Sequence, residues 1–389
     1  MSLFDDETPL SNQSPAQNQT SASDGSRWNA ETSEGRRPLR ERIGWIAVTV
    51  AIVIGVVFAF MPSPYVIEQP GPVYDTLGVA ENGDEEEVPL IAIPDETTYP
   101  TEGELNLLTV SVVGRPGQTP NWLEVVAAWF DRTRSVIPVE AIFPPGISSE
   151  DRDAQNQAAM VDSQQDAIAA ALVELDYDFP REVTVAGLLE DSPADGILET
   201  DDVIVSFAGT PVHSINELQT AVREHGTDAP AQVEIVRDGD PLTVEVTPAD
   251  RDGTPVIGVG VRMVYEFPID VELQLDDVGG PSAGMMFALG IVDKLTPGPM
   301  TGGEIIAGTG TIDSAGRVGP IGGIRQKLWG AERAGADWFL APESNCDEVT
   351  GNVPDGVEVF AVKTLDEARE IVEDVADGEV TGSYPSCPA

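Results

Sequence analysis

Residues 279–284 read Gly-Gly-Pro-Ser-Ala-Gly, and the apolar residues 285–295 follow them directly. Glycines let a backbone approach its neighbours closely, and proline suits the first position of a helix because its φ is preset. We therefore predict a helix over residues 281–295, with Ser282 at its N-terminus among amides that lack intrahelical partners. The backbone amides of Ser282 and Ala283 would then be placed to stabilise an oxyanion. The plain alternative is that Ser282 only caps the helix, which is a common role for serine.

A serine hydroxyl is a weak nucleophile and needs a base, and this chain offers few bases. Lys327 stands in the first turns of a helix predicted over residues 324–334, directly behind a glycine pair at residues 322–323. A lysine acts as a base only when neutral, so its pKa must fall by about 2–3 units from about 10.4. Burial can supply such a shift, and the positive end of the helix near Gly323 would act in the same direction.

The other candidate bases are weaker. Lys294 lies on the helix of Ser282, about 18 Å from it at 1.5 Å per residue, and Lys363 follows a predicted strand. We expect both side chains to be solvated. His213 and His225 fall in another part of the chain and are predicted to be surface residues, which disfavours a histidine-based triad.

Three ordered motifs resemble the proteolytic domain of the Lon family of serine proteases. They are residues 280–284 (Gly-Pro-Ser-Ala-Gly), residues 308–312 (Gly-Thr-Gly-Thr-Ile) and residues 322–327 (Gly-Gly-Ile-Arg-Gln-Lys). The second is similar to the family's Thr-Gly-Glu strand, with Thr311 in place of the glutamate. The resemblance covers residues 256–376 and implies three roles: nucleophile for Ser282, general base for Lys327 and orientation of the lysine for Thr309.

Residues 181–250 alternate short predicted strands with one helix, and they resemble a PDZ domain of the bacterial protease type. The matching residues are Asp191-Ser192-Pro193-Ala194-Asp195-Gly196, Asp202-Val203-Ile204-Val205, Gly209 and Val212. Because PDZ domains commonly bind an extended peptide at a sheet edge, we expect residues 183–189 to form the strand beside the groove. The loop that binds the peptide end is expected at residues 177–180. The alternative is a module used for packing or oligomerisation.

The N-terminal part contains a candidate membrane anchor. Residues 43–61 carry no charge and would span about 28 Å as a helix, close to the thickness of a bilayer core. Residues 1–42 are polar and predicted to be disordered, and four arginines end this tail: Arg36, Arg37, Arg40 and Arg42. Positive charge on this side predicts a cytoplasmic N-terminus and places residues 65–389 outside the cell. A cleaved signal peptide is the alternative, which the bulky Phe60-Met61 pair and the long tail disfavour.

Composition limits the remaining possibilities. The formal net charge of −46 would repel phosphate backbones, so we predict no nucleic-acid partner. Such acidity is typical of a soluble domain in a salty or extracellular setting. Cys346 and Cys387 have no zinc-ligand spacing; they form one bridge in an oxidising compartment or remain two free thiols. We predict no metal and no cofactor. No lysine follows the phosphate-binding loop pattern of ATPases, which predicts an activity independent of ATP.

The predicted architecture is an α+β multidomain protein. A single transmembrane helix comes first, then residues 65–180 as an extracytoplasmic region of strands and helices, the PDZ domain, a Lon-type α/β domain and a tail at residues 377–389. Residues 104–113 resemble the opening strand of Lon-type domains, so we expect the PDZ domain to be inserted into the protease fold. That hypothesis requires residues 104–113 to share a sheet with a strand predicted over residues 264–275.

Two functions from different classes follow. The first is a membrane-anchored serine endopeptidase that cleaves flexible or unfolded proteins with a Ser282–Lys327 pair. The second is a non-catalytic anchored adaptor that binds peptides through its PDZ groove. Catalysis requires Ser282 Oγ and Lys327 Nζ within about 3–4 Å, whereas a separation beyond about 8 Å would favour the adaptor. Because Lon-type domains often assemble into rings, the resemblance also allows a homo-oligomer.

Overall fold

The computed structural model describes residues 39–81, 87–189, 191–275, 278–379 and 384–387, so most of the predicted N-terminal tail lies outside the described residues. The helices, numbered along the chain, are α1 (Leu39–Phe60), α2 (Trp122–Trp129), α3 (Val139–Ile142), α4 (Ser149–Glu174), α5 (Ile215–His225), α6 (Gly284–Leu295), α7 (Ile324–Ala334), α8 (Cys346–Val349) and α9 (Leu365–Ala376).

The strands are β1 (Tyr65–Asp75), β2 (Val79–Glu81), β3 (Glu87–Pro89), β4 (Ile91–Ala92), β5 (Glu104–Val113), β6 (Ser135–Pro138), β7 (Arg181–Leu188), β8 (Val203–Phe207), β9 (Thr210–Pro211), β10 (Ala231–Arg237), β11 (Asp240–Val246), β12 (Ala249–Arg251), β13 (Thr254–Val256), β14 (Val259–Tyr265), β15 (Glu272–Leu273), β16 (Ile305–Gly308), β17 (Thr311–Ile312), β18 (Val318–Gly319), β19 (Trp338–Pro342) and β20 (Glu358–Val362).

Contacts divide the chain into an N-terminal unit that ends at Gly55 and a unit over residues 56–389. In the part of the chain that the structure describes, one helix is long and apolar enough to cross a membrane, over residues 41–60. This stretch coincides closely with the predicted span at residues 43–61.

A six-stranded sheet in the order β20-β19-β16-β5-β1-β6 forms the centre of the larger unit. β5, β16, β19 and β20 are parallel, and β1 and β6 are antiparallel neighbours at the other end. Because alternate strand residues point to opposite faces, Leu340 packs in the core with α4, α6 and α9. Its neighbours Phe339 and Ala341 pack on the other face with α7. The result is a sheet covered by helices on both faces, the α/β layer structure predicted for this domain.

A second sheet, in the order β11-β10-β8-β7-β14, surrounds its own core of aliphatic side chains. β10 and β11 form a hairpin in which Arg237 pairs with Asp240. The two residues between them, Asp238 and Gly239, have φ angles of 53° and 86°, as the Asp-Gly pair predicts for a tight turn that matches the twist of the strands. The mixed α+β fold class is therefore confirmed.

The prediction of a strand over residues 264–275 is wrong. Val259–Tyr265 pairs with Arg181–Leu188 in the smaller sheet, and the short β15 pairs elsewhere with β4. The smaller sheet thus extends past residue 250, and the predicted start of the protease domain at residue 256 precedes this strand.

Sheet pairing also bears on the expected insertion. The hypothesis required residues 104–113 to share a sheet with the strand predicted over residues 264–275. β5 lies outside the sheet that contains β14, so this requirement is not met. β5 instead pairs in parallel with β16. The larger sheet therefore takes its strands from both sides of the smaller one along the chain.

Cys346 and Cys387 form a disulfide, which resolves the two alternatives left by the sequence. The bridge ties the residues after α9 to the start of α8. Close by, Pro385 O accepts a hydrogen bond from the amide of Ala361 in β20. The C-terminal segment is thus attached to α8 through the disulfide and to β20 through this hydrogen bond.

Candidate active site

Ser282 lies in a tight loop before α6, not on the helix itself. The helix begins at Gly284, with Ala283 as its N-cap and no side-chain cap, so the predicted start at Pro281 is wrong. The reason is tertiary: the carbonyl of Ser282 accepts hydrogen bonds from the amide of Gly310 and the hydroxyl of Thr309, each at 2.9 Å. Ser282 is therefore not the helix cap of the plain alternative.

The same loop is held from the other side by α4. The hydroxyl of Ser163 donates to the carbonyl of Pro281 at 2.9 Å, and the amide of Gly280 donates to the carbonyl of Asn156 at 2.9 Å. A Cβ on Gly279 would lie 2.9 Å from the Cβ of Asn156, closer than such atoms approach one another. Gly279 is needed because the loop presses directly on this helix, and Gly280 because its φ of 92° lies in the left-handed region.

Lys327 reaches Ser282 from the first turns of α7. Its Nζ lies 2.7 Å from Ser282 Oγ and 2.8 Å from Thr309 Oγ1. The Nζ–Oγ separation falls within the range that catalysis requires and well below the separation that would favour an adaptor. The side chain is only 2% exposed. Burial lowers the pKa of Lys327 to about 7, because the charged ammonium loses its hydration.

The start of α7 explains how this lysine is positioned. Gly323 precedes the helix with φ of 69°, and a Cβ there would lie 2.7 Å from a methyl group of Val110. The segment before it is fixed by Asn345, whose side chain exchanges two hydrogen bonds of 2.9 Å with the backbone of Ile321. The amide of Lys327 then donates to the carbonyl of Gly323. A rigid helix start therefore directs the lysine toward the loop of Ser282.

Thr309 connects the two candidate residues. Its single hydroxyl hydrogen is donated to the carbonyl of Ser282, so its oxygen acts as the acceptor toward Lys327 Nζ. A neutral amine that donates to Thr309 can direct its lone pair at the hydroxyl of Ser282. Thr309 is also buried, which keeps this arrangement away from water.

The backbone amides of Ser282 and Ala283 complete the site. Among the described residues, neither amide donates to a backbone carbonyl. The carbonyl of Ser282 is fixed by Gly310 and Thr309, and in a trans peptide the following amide points the opposite way. The amide of Ala283 therefore points away from those two residues and can receive a hydrogen-bond acceptor.

A cleft of about 430 Å³ opens over Ser282 and Lys327. One wall is β5, and the lining includes Pro72, Tyr74, Leu107, Thr109, Ser111, Met160 and Val278. β5 pairs with β16 only as far as Leu107, while its pairing with β1 continues to Val113. Beyond Leu107, one edge of β5 therefore has no strand partner among the described residues, and this edge faces the cleft.

The other titratable candidates lie elsewhere. Lys294 was expected to be solvated, but it is half-buried at the end of α6 and donates to the carbonyl of Leu77 at 3.4 Å. Burial lowers the pKa of Lys294 from its ordinary value. Lys363 is exposed and forms an ion pair with Glu343 at 2.9 Å. His213 is exposed, and His225 packs its ring edge against Phe207 in the smaller sheet.

A second cleft, of about 330 Å³, lies between α5 and β14. Residues 183–189 were predicted to form the strand beside the groove, but β7 has β8 and β14 on its two edges, and within that range only Leu189 lines the cleft. β14 has one strand partner in the described part of the chain and lines the cleft with Val259 and Val261.

None of residues 177–180, where the loop that binds the peptide end was expected, lines this cleft. Phe179 is buried there against Phe267, and the segment that enters the groove strand is residues 256–258. Gly258 has φ of +74°, and a Cβ there would lie 2.3 Å from the Cβ of Ser192. The Val-Ile-Gly-Val-Gly-Val repeat at residues 256–261 was the signal in the sequence for this loop and strand.

Two regions of the chain match models of known protein families. Residues 277–376 match the model of the Lon protease (S16) C-terminal proteolytic domain. Residues 146–247 match the PDZ domain model. The PDZ match begins within the loop before α4, although α4 packs in the core of the larger sheet, and it ends before β14.

Similar proteins include two Lon proteases. Lon protease 2 of Herpetosiphon aurantiacus is 39% identical over 110 residues, which is 26% of this chain and 13% of that protein. The Lon protease of Clostridioides difficile is 42% identical over 94 residues, 23% of this chain and 12% of that protein. The matched part is thus about an eighth of the length of these relatives.

Among solved structures, the PDZ domain of an SdrC-like protein of Listeria monocytogenes is 21% identical, with a TM-score of 0.19. The alignment covers 20% of this chain and 85% of that domain. The two family models thus assign residues 277–376 to a Lon-type C-terminal proteolytic domain and residues 146–247 to a PDZ domain, and the N-terminal helix is long and apolar enough to cross a membrane.

Proposed function

We propose that this protein is an ATP-independent serine endopeptidase in which Ser282 is the nucleophile and Lys327 the general base. The observation that carries the proposal is a buried amine 2.7 Å from a serine hydroxyl. The pKa of Lys327, lowered to about 7 by burial, leaves a large share of the amine neutral at neutral pH. Only that neutral form can accept the hydroxyl proton.

The proposed reaction proceeds in two halves. Ser282 Oγ attacks the scissile carbonyl while Lys327 takes its proton, and the amides of Ser282 and Ala283 stabilise the oxyanion. Lys327 then gives that proton to the leaving amine as the C–N bond breaks, which leaves an acyl group on Ser282. Water attacks the acyl group, Lys327 accepts its proton, and the proton returns to Ser282 as the acid product leaves.

Thr309 would act as a positioning residue in this scheme. The hydroxyl of Thr309 donates a hydrogen bond to the carbonyl of Ser282 and accepts one from Lys327 Nζ. Thr309 therefore fixes the position of the lysine relative to the loop of Ser282. The free amine is thereby prevented from turning toward the cleft. A fixed base and nucleophile reduce the entropy lost on reaching the transition state.

The substrate is proposed to be an extended, flexible peptide. The unpartnered edge of β5 beyond Leu107 offers backbone groups beside Ser282, and a peptide added to it would bring its carbonyl into the cleft. A folded segment could not supply such a strand. Unfolded or nicked proteins would therefore be cleaved in preference to compact ones.

The proposed location is the outer face of the cytoplasmic membrane. Residues 41–60 would form the anchor, and the arginines before them would keep the N-terminus in the cytoplasm. The disulfide between Cys346 and Cys387 supports an oxidising surrounding for the larger unit. The PDZ groove between α5 and β14 would recruit peptides to the protease. A homo-oligomer and the lack of nucleic-acid binding stay predictions of the sequence.

The test is hydrolysis of unfolded casein by the full-length chain in detergent or lipid discs. Ser282→Ala and Lys327→Met should each reduce kcat/KM by about a thousandfold or more. The first removes the hydroxyl that attacks the substrate, and the second removes the amine that accepts the proton. Lys363→Ala, which removes an exposed lysine, is the matched control and should leave the rate unchanged. Equal activity in all four proteins would exclude the Ser282–Lys327 mechanism.

A further inference from the structure

α2 carries large apolar side chains on the face that it turns to solvent. Trp129 and Phe130, at its C-terminal end, are 58% and 86% exposed, and Leu123 and Val126 are exposed beside them. We call these four residues the α2 face. The opposite side of the helix is already buried through Val125 and Ala128. A surface helix of a soluble domain ordinarily has polar residues on its outer side, whereas most of the exposed side of this helix is apolar.

Charge does not compensate for this face. Glu124 is the charged residue of α2, and its carboxylate accepts a hydrogen bond from the amide of Asn121 in a capping box. Glu124 is thus engaged at the start of the helix, whereas Trp129 and Phe130 lie at its far end. A contiguous group of four large apolar residues on one short element marks an interaction surface.

α2 is attached to the chain just after the candidate membrane span. The ring of Trp122 contacts Phe58 and Tyr65, with centroid distances of 6.2 and 5.9 Å. The amide of Ser63 donates to the carbonyl of Pro120 at 3.0 Å, and Pro62 forms a bridge with Asn121. The first residue of α2 is therefore in contact with the residues that leave the apolar stretch at residues 41–60.

That attachment identifies the occupant of the face. If residues 41–60 cross a bilayer, Phe58 lies near one end of the hydrocarbon layer, and α2 is held at the same level. An eight-residue helix is about 12 Å long, too short to span a membrane, but it can lie in the interface with its apolar side toward the lipid. Tryptophan and phenylalanine are well suited to this depth.

We propose that the α2 face inserts into the outer interface of the lipid bilayer and forms a second membrane contact beside the anchor. This inference rests on the proposed membrane location and is independent of the proposed catalytic residues. The contact would hold the larger unit against the membrane surface.

The experiment places a fluorescent label at single cysteines of the full-length chain in lipid discs that hold one chain each. Both native cysteines are paired, so an added thiol reacts alone. Phe130→Cys and Leu123→Cys report on the α2 face. Leu242→Cys, an exposed apolar position on β11, is the matched control, and Ile52→Cys reports on the anchor. Quenching is measured with lipids that carry a nitroxide near the headgroup or deep in the chain.

We expect labels at positions 130 and 123 to be quenched by the shallow nitroxide several-fold more strongly than the label at position 242. Quenching no stronger than at position 242, at both sites, would overturn the proposal. One chain per disc excludes burial of the face by a second copy, so protection from water without quenching would also contradict lipid contact. A label at position 52 that the deep nitroxide does not quench would instead contradict the anchor itself, and hydrolysis of casein reports separately on the catalytic residues.

Discussion

The cleft at Ser282 and the groove beside α5 have similar volumes, about 430 and 330 Å³, but they are built in different ways. At the cleft, three separate elements fix one loop through hydrogen bonds from Ser163, Thr309 and Lys327. At the groove, most of the lining is aliphatic, and Arg223 and Arg251 lie beside an edge of β14 that has no strand partner among the described residues. The first arrangement suits chemistry at one atom, whereas the second suits binding of varied peptides. Changes in the cleft should therefore affect kcat strongly, and changes in the groove should affect KM moderately.

The largest expected effect in this comparison is that of pH on the cleft. Because the pKa of Lys327 is lowered to about 7 and the neutral form is the proposed base, kcat/KM should rise with pH through about 7. At pH 5 only about 1% of the amine is neutral, so the rate should be about 100-fold below its plateau. The measurement is hydrolysis of a short uncharged peptide between pH 5 and 9.

A second group titrates in the same range and needs a control. Burial raises the pKa of Asp166 on α4 to about 6, and the hydroxyl of Tyr265 on β14 donates to this carboxyl. In an Asp166→Asn variant the rise near pH 7 should persist. A kcat/KM that is constant from pH 5 to 9 would contradict the role of Lys327. Loss of the rise near pH 7 in the Asp166→Asn variant would also contradict it.

The next effect concerns Thr309. Thr309→Val keeps the shape of the side chain but removes the bonds to Lys327 and to the carbonyl of Ser282, and we expect kcat to fall by about 10–100-fold. Thr309→Ser retains the hydroxyl and should recover most of the activity. If the Thr309→Val and Thr309→Ser variants have the same kcat, Thr309 does not position the lysine.

A smaller effect is expected at the groove. Gln219 lines the groove from α5, and Gln219→Trp should fill part of the space that a peptide needs. We expect KM for unfolded casein to rise by up to about tenfold, while hydrolysis of a short peptide stays unchanged. Thr220→Trp, on the neighbouring exposed position, is the control. Equal loss with both substrates would show that the groove and the cleft are not separable.

The smallest effect is expected at Ser163, which supports the loop of Ser282 from α4. Ser163→Ala removes one hydrogen bond to the carbonyl of Pro281, and such a bond contributes about 1 kcal/mol, which corresponds to about fivefold in rate. The neighbouring exposed variant Asp162→Ala should be neutral. A full loss of activity in Ser163→Ala, with the fold intact by circular dichroism, would mean that this residue touches the reaction itself.

The sequence predicted correctly those helices and strands whose ends are marked by glycines. β5, bounded by Gly103 and Gly114, and α7, stopped by Gly335, lie at their predicted residues. All three glycines have positive φ (68°, 105° and 80°), so their own backbone conformation marks the ends of these elements. The pairing of Ser282 with Lys327 was predicted from the resemblance of the motifs. No local sequence pattern predicts that a loop and a helix 45 residues apart come into contact.

Features that depend on distant backbone groups were missed. The start of α6 shifts to Gly284 because Gly310 and Thr309 capture the carbonyl of Ser282. Asn156 supports the loop through its carbonyl, which every residue possesses, so its identity carries no signal. The strand of the groove was misassigned because β14 follows β7 by many residues, and only the sheet order reveals which of the two has a free edge.

The larger sheet joins Glu104 to Ile305, residues about 200 positions apart, with the whole PDZ sheet between them. Pairing across such a long separation is slow, since the entropy of closing the chain must be overcome first. If the chain is exported as proposed, β5 would emerge long before β16, α6 and α7. A polypeptide still crossing the membrane would then lack both the loop of Ser282 and the helix of Lys327, and under the proposed mechanism nascent copies could not digest one another before each had been fully translocated.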